Sequence, residues 1–342
     1  MAVRKTIDKK LYDYYLNNPP TVFDTPNGKI YMHEYTVRNI IISIKHLTQE
    51  LDALMLFVGR EGSGKSLFMR QVLYVFWWFL RKFKLIDYPF DLDLVHFGIR
   101  ELQNDRIYWD LEMKQKCRIS DLDESKDDLG RDRHNDPKTQ EFLNYLRRCR
   151  DESGIIALAQ PQISEFLPSI VLSRALFIFE VDYDLDSETG DIVRGEYKVI
   201  TIPRGKKSYS AIQKKYLSRN DIKVTLGEYV HNPKLRYADI PHNLVSYQGR
   251  FNGVDPIDTK AYLKKKQEKK WERIYKEEEE LSEYKKEIKR LRNVKAYFHK
   301  LLLLSKKHKI TNKQLASSLK ISSRTVDRYL SEAKDDIFRE EE

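Results

Sequence analysis

The chain has 342 residues, of which 41% are hydrophobic and 33% charged, with a formal net charge of +10 and a pI near 9.2. These values exclude a disordered or membrane-embedded chain, suggest about two domains, and point towards an anionic partner, nucleic acid first. Two cysteines, Cys117 and Cys149, lie in no Cys/His cluster, which argues against a zinc site or a disulfide framework.

In chain order, residues 1–52 form a mixed amino-terminal extension, broken by Pro19-Pro20 and by a Pro26-Asn27-Gly28 turn, that is expected to pack on the adjoining core. No signal-peptide segment opens the chain. The most apolar run, Val72 to Leu80, covers about half a bilayer, so a cytoplasmic protein without membrane insertion is expected. From 53 to 207, apolar runs alternate with amphipathic stretches, the pattern of an α/β sheet with parallel strands. Ala53 to Val58 reads as a strand buried on both faces and Ser66 to Phe83 as a helix. Further strands are expected over Leu92–Phe97, Cys117–Leu122, Gly154–Ala159, Ala175–Val181 and Tyr197–Ile202, with a polar hairpin turn at Asp184–Gly190. Residues 208–255 show no clear periodicity and are expected to connect. Residues 256–304 turn rich in Lys, Glu and Arg and read as a helical arm, in which runs such as Lys264-Lys265-Lys266 suit a solvated face better than a binding stripe. Residues 305–342 form a small terminal domain.

The eight residues Gly59-Arg60-Glu61-Gly62-Ser63-Gly64-Lys65-Ser66 match G-x-x-x-x-G-K-[ST], directly after a strand and before a helix. Glycines let backbone amides turn inward around phosphates, and the helix adds its positive end. Lys65 then reaches the β- and γ-phosphates of ATP, and Ser66 supplies a hydroxyl to Mg²⁺. Such a site needs a second strand ending in an acid. Asp123-Glu124 is the best candidate, with Asp123 holding the metal and Glu124 polarising the attacking water. Asp121, Asp127 and Asp128 compete, and Asp110 is the main rival for the metal role. Gln160 ends the strand from Gly154 and would stand beside the γ-phosphate, where its amide could distinguish ATP from ADP.

These residues, with the Leu146-Arg147-Arg148-Cys149-Arg150 helix between them, resemble the FtsK/HerA group of P-loop motors. Within that group they are similar to ATPases of viruses and plasmids, including packaging ATPases and zonula occludens toxin-like proteins. The resemblance covers about Leu54 to Val181. It implies a RecA-like core, self-association into a ring, often a hexamer, translocation of double-stranded DNA, and an arginine supplied by a neighbouring subunit. Arg150, Arg147, Arg148 and Arg174 are the candidates for that arginine. For a viral protein, the expected compartment is the host cytoplasm. The carboxylate strand is more polar than the family's usual one.

Lys309 to Leu330 reads as a helix-turn-helix. Thr311 and Gln314 form a capping box, Ser322 caps the second helix, and Leu315, Ala316, Leu319, Ile321, Val326 and Leu330 make a small core. Ser323, Arg324, Thr325 and Arg328 then stand near the start of the second helix, placed to meet DNA. The expected function is an ATP-hydrolysing DNA motor. The alternative is a replication-initiation or partition factor in which ATP only switches assembly on a DNA site.

Overall fold

The computed structural model describes residues 7–49, 51–111, 119–123, 136–148, 154–185, 192–231, 242–307 and 310–340. They divide into two units between Lys266 and Gln267. In the first, the Asp8 carboxylate caps helix α1 (Lys9–Asn17) by accepting from the Lys10 and Leu11 amides. Strands β1 (Val22–Thr25) and β2 (Gly28–Tyr31) make a hairpin in which Thr25 faces Gly28 across Pro26-Asn27. Helix α2 (Glu34–Leu47) comes next. Tyr12, Phe23, Ile30 and the α2 residues Val37, Ile40, Ile41, Ile44 and Leu47 all join one apolar cluster with the central sheet, so this extension is an integral layer.

The sheet has seven strands. They are β3 (Ala53–Val58), β4 (Val95–His96), β5 (Ile119–Leu122), β6 (Ile155–Gln160), β7 (Ala175–Leu185), β8 (Ile192–Thr201) and β11 (Tyr247–Arg250), in the order β11-β8-β7-β3-β6-β5-β4. From β7 to β4 every pairing is parallel, whereas β8 and β11 run antiparallel. The sheet is therefore mixed, not wholly parallel. Within its parallel block the β3 strand lies between β7 and β6, and β6 separates it from β5, the strand order of a RecA-like P-loop α/β core. Strands β9 (Lys207–Ser210) and β10 (Lys215–Ser218) form a separate antiparallel hairpin.

Alternation explains how one apolar run serves two layers, because successive strand side chains point to opposite faces. Ala53, Met55 and Phe57 of β3 join the cluster built with α1, α2 and α3 (Lys65–Lys82). Leu54, Leu56 and Val58 join the opposite cluster, with α4 (Ile99–Leu111), α5 (Pro137–Arg148), α6 (Pro168–Ser173) and α7 (Arg219–His231). Helix α3 is sandwiched between the sheet and the amino-terminal layer and is buried nearly all round. Trp77 donates to the Tyr88 carbonyl at 2.9 Å and Trp78 meets Tyr15 and Phe23 edge-on, so both tryptophans act as packing residues. Among the described residues no helix is long and apolar enough to cross a membrane. The buried Arg70 guanidinium pairs with Asp255 at 2.6 Å and lies over the Tyr262 ring at 3.8 Å. These contacts clamp the root of α8 (Thr259–Lys307) onto α3.

In the second unit, α9 (Asn312–Leu319) carries the Thr311–Gln314 capping box and ends at Lys320 in the left-handed conformation. The Ser322 hydroxyl accepts from the Thr325 amide at the start of α10 (Ser323–Glu340). Leu315, Ala316, Val326 and Leu330 form the buried core with Leu302, against which Ile321, Phe298 and Tyr329 pack. Leu319 instead remains 39% exposed. The place expected for it is filled from the charged arm, by Leu302 and Phe298.

Glu180, on β7 opposite Lys198, is 6% exposed. Burial pushes its carboxyl from an ordinary 4.5 up to about 7, against the pull of Lys198 and with help from Asp182. Between those two values the folded chain keeps a proton that the unfolded chain has released. Its stability therefore falls by about 3 kcal/mol as pH rises through that window. Glu180→Gln should flatten this slope and stabilise the protein at about pH 8 relative to about pH 5, measured by urea denaturation; an unchanged slope would count against it.

Candidate active site

Strand β3 runs out into the loop 59–64, and backbone crowding there dictates glycine. Gly59 has φ 154° and lies so close to β7 that a Cβ would stand 2.0 Å from the Val181 carbonyl oxygen. Gly64, at φ 91°, takes the N-cap position of α3, with Phe251 against it. The Gly59 amide donates to the Pro161 carbonyl beyond β6 at 3.2 Å, so the loop is pinned to both neighbouring strands. Arg60, Glu61 and Gly62 are exposed at its tip, while Ser63 is fully buried. An 18-residue helix begins at Lys65, and its first amides and positive dipole end form an anion-binding concavity.

The Lys65 ammonium donates to the carbonyls of Gly59 at 2.5 Å and Arg60 at 3.1 Å, over the loop's mouth. Burial lowers its proton affinity, opposed by Asp123 and Glu61. The Ser66 hydroxyl donates to Asp123 Oδ1 at 2.8 Å, which joins the start of α3 to the end of β5. Asp123 is placed by its own amide, which donates to the His96 carbonyl at 3.1 Å as β4 ends. Its Oδ2 accepts from the Tyr262 hydroxyl and faces the Lys266 ammonium at 3.4 Å. Burial would raise the Asp123 pKa, but Lys266, the Tyr262 and Ser66 hydrogen bonds and Arg70 together hold it below the usual carboxylate range. Asp123 is thus a buried, ionised carboxylate.

The register gathers the strand ends. Val58 pairs with Gln160 and Leu122 with Leu158, so Gly59, Gln160 and Asp123 share one rim of the sheet. Gln160 is 1% exposed, and neither atom of its amide has a hydrogen-bond partner among the described residues. Asp121, on β5 and two residues before Asp123, is equally buried, with neither carboxyl oxygen hydrogen-bonded among the described residues. Its pKa is raised well above the ordinary value by burial and by Asp123. Of the two acids, only Asp123 stands at the strand end and touches Ser66. Asp110 lies within helix α4, not at a strand end. Glu124 and Arg150, with the rivals Asp127 and Asp128, lie outside the described residues, as do the side chains of Arg147 and Arg148. Arg174 pairs with Asp52 at 2.6 Å, at the amino ends of β7 and β3, the opposite rim from the phosphate loop.

Sequence reasoning missed Tyr262 and Lys266. The Lys264-Lys265-Lys266 run reads as a solvated face, yet Lys265 donates to the carbonyls of Leu92 and Val95 and Lys266 faces Asp123. A tyrosine four residues before a lysine on one helix face was the available signal.

No protein family and no curated protein matches the chain. Among solved structures it is similar to the genome packaging NTPase B204 from Sulfolobus turreted icosahedral virus 2, in complexes with ATP-gammaS and with AMP. Each match has 14% identity over 49% of this chain and 96% of that one, with a TM-score of 0.29. The complex of that NTPase with AMPPCP matches with a TM-score of 0.28.

Whether the rim suits a magnesium nucleotide can be judged from its donor set. Among the described residues no group of three or more His, Cys, Asp or Glu side chains could hold a metal alone. One hydroxyl beside one ionised carboxylate instead suits Mg²⁺, which is bound by one or two protein oxygens together with substrate phosphates and water. The glycine-walled cradle, the lysine at its mouth and this pair fit the group together.

In the second unit Ser323, Arg324 and Arg328 are exposed on α10. Arg328 lies over the Tyr329 ring at 5.2 Å. Thr325 is half-buried, its hydroxyl within 2.7 Å of Ser322 Oγ, so it belongs to the cap and not to the outward face.

Gly59→Ala tests the crowding at β7. It should lower unfolding free energy by about 2 kcal/mol or more, because Val181 is backbone and cannot move aside. Wild-type stability in chemical denaturation would refute the close approach.

Proposed function

We propose that the chain is a Mg²⁺-dependent P-loop ATPase that drives DNA movement as a packaging or translocation motor. The reading rests above all on the 2.8 Å contact between Ser66 and Asp123. It joins the helix after the phosphate loop to the end of a strand one place removed in the sheet, the arrangement a metal-bridged triphosphate requires.

In this mechanism the amides of Gly59 to Ser66 cradle the phosphates and Lys65 neutralises charge on the β- and γ-phosphates. Ser66 and Asp123 would hold Mg²⁺, which would supply electrostatic stabilisation of the phosphates. Gln160, buried with its amide groups unspent, presents a donor and an acceptor at the same rim, suited to the γ-phosphate or the attacking water. Glu124, next in sequence after Asp123, takes the proton from that water. An arginine from a second copy, with Arg150 the first candidate, would complete the site in a ring. Ser323, Arg324 and Arg328 on α10 contact duplex DNA. The resemblance to FtsK/HerA-type motors supports the step from ATPase to DNA motor, and the net charge of +10 supports an anionic polymer as cargo.

Lys65→Ala and Glu124→Gln should each lower ATP turnover by about 10²- to 10⁴-fold, with Glu124→Gln still binding nucleotide. Coupled-assay turnover and fluorescent-nucleotide binding together check this, and wild-type turnover in Glu124→Gln would remove that residue from the mechanism. Arg324→Ala with Arg328→Ala should weaken duplex binding and lower its salt slope by about 2; an unaltered slope would take the carboxy-terminal helices out of DNA binding.

A further inference from the structure

Between Pro203 and Asn220 the chain carries six cations and no carboxylate, more than half the formal net charge in a segment the ATPase chemistry does not use. Its structure sorts these cations into two groups. Arg204 and Arg219 are half-buried at the base. Arg204 donates to the Asp52 carbonyl, and Arg219 donates to the Arg204 carbonyl at 3.3 Å. Lys206, Lys207, Lys214 and Lys215 are exposed, and none of the four forms an ion pair with a carboxylate among the described residues.

The hairpin between them is held firmly. Buried Ser210 donates to the Val245 carbonyl at 2.8 Å, the Ala211 amide donates to the Ser246 carbonyl at 2.7 Å, and Lys214 closes the turn in the left-handed region at φ 50°. Register then separates the two faces. Tyr209 pairs with Tyr216, and Ser208 with Leu217. Strand alternation therefore turns Ser208, Ser210, Lys215 and Leu217 to one face, and Lys207, Tyr209 and Tyr216 to the other. The two tyrosines are 47% and 68% exposed, and their rings meet at 61° with centroids 5.3 Å apart. Lys207 precedes Tyr209 along the same face at a spacing of about 6.6 Å.

A ribbon that spends two aromatic rings on solvent, among lysines with no carboxylate partner among the described residues, is built for a ligand with both flat apolar faces and regularly spaced negative charge. We propose that the β9–β10 hairpin is a nucleic-acid binding site that takes an unpaired strand, whose bases stack on Tyr209 and Tyr216 while Lys207, with Lys206 and Lys214 just outside the strands, meets its phosphates. A protein partner with an acidic patch would use the lysines but leave the ring faces idle. A duplex would offer phosphates but keep its bases stacked on each other. This site extends the nucleic-acid side of the proposed function into the first unit, and it does not depend on ATP turnover or on α10.

The test uses the full chain and fluorescence anisotropy with labelled oligothymidylate, oligouridylate of the same length, and a duplex. Tyr209→Ala with Tyr216→Ala should weaken single-strand binding by about tenfold or more, whereas Tyr209→Phe with Tyr216→Phe keeps the ring faces and should bind as wild type. Lys206→Ala, Lys207→Ala and Lys214→Ala together should lower the slope of log affinity against log salt by about 2. The same losses should appear in a chain that also carries Arg324→Ala and Arg328→Ala, which separates this site from the carboxy-terminal helices. A tyrosine-dependent loss on either the DNA or the RNA strand supports the site. Unchanged single-strand affinity in the double alanine variant, an equal loss in the phenylalanine variant, or a loss confined to the duplex or to anionic phosphatidylserine vesicles would overturn it.

Discussion

The approach of Gly59 to Val181 is the constraint on which the site depends. Parallel pairing brings β3 between β6 and β7, and the chain leaving β3 has to pass a neighbouring carbonyl with no space for a side chain. That passage fixes where the loop begins. The N-cap at Gly64 and the length of α3 then fix where its amides point, and the Ser66 hydroxyl falls into place as the second residue of the helix. Asp123 reaches this hydroxyl because β5 lies just one strand away across β6, and because its own amide is tied to the end of β4. Each position in the rim is inherited from a backbone contact, and the side chains add charge to a frame already set.

How much of this was legible depends on the kind of signal each element leaves. Ala53 to Val58 reads as a doubly buried strand because all six residues are apolar, and the glycine-rich motif after it carries its own meaning. The β5 strand is harder, since Ser120 and Asp121 are polar yet fully buried, with Arg70 and Lys266 close enough to pull the Asp121 pKa down against its burial. Over Leu92 to Phe97 only Val95 and His96 join the sheet. The Asp91 side chain accepts from the Asp93 amide and starts a short 3₁₀ turn instead. The β11 strand left almost no trace, being four residues long at the sheet edge and containing Gly249, which leaves room for the Tyr197 ring.

What could not be read was long-range. Tyr262 and Lys266 stand well over a hundred residues from Asp123 in sequence, and the composition around them is that of a solvated helix. The Arg70–Asp255 ion pair, the Tyr262 ring beneath Arg70 and the Lys265 hydrogen bonds to the Leu92 and Val95 carbonyls turn that helix root inward. Breaking one half of such a buried pair costs about 3–5 kcal/mol, so the placement of Lys266 is firmly held. The carboxylate rim thus draws on the P-loop, on a strand end and on the start of α8. A local motif can announce the first two alone.

The two-sided burial of β3 has a further consequence. A strand with an apolar cluster on each face offers no exit for a charge along its length, so β3 itself carries none, and the buried acids of the sheet, Asp121 and Glu180, lie on other strands. For β3, polar chemistry is confined to the margin where the strand stops. Such a strand keeps two hydrocarbon faces while the segment at its end carries the charge.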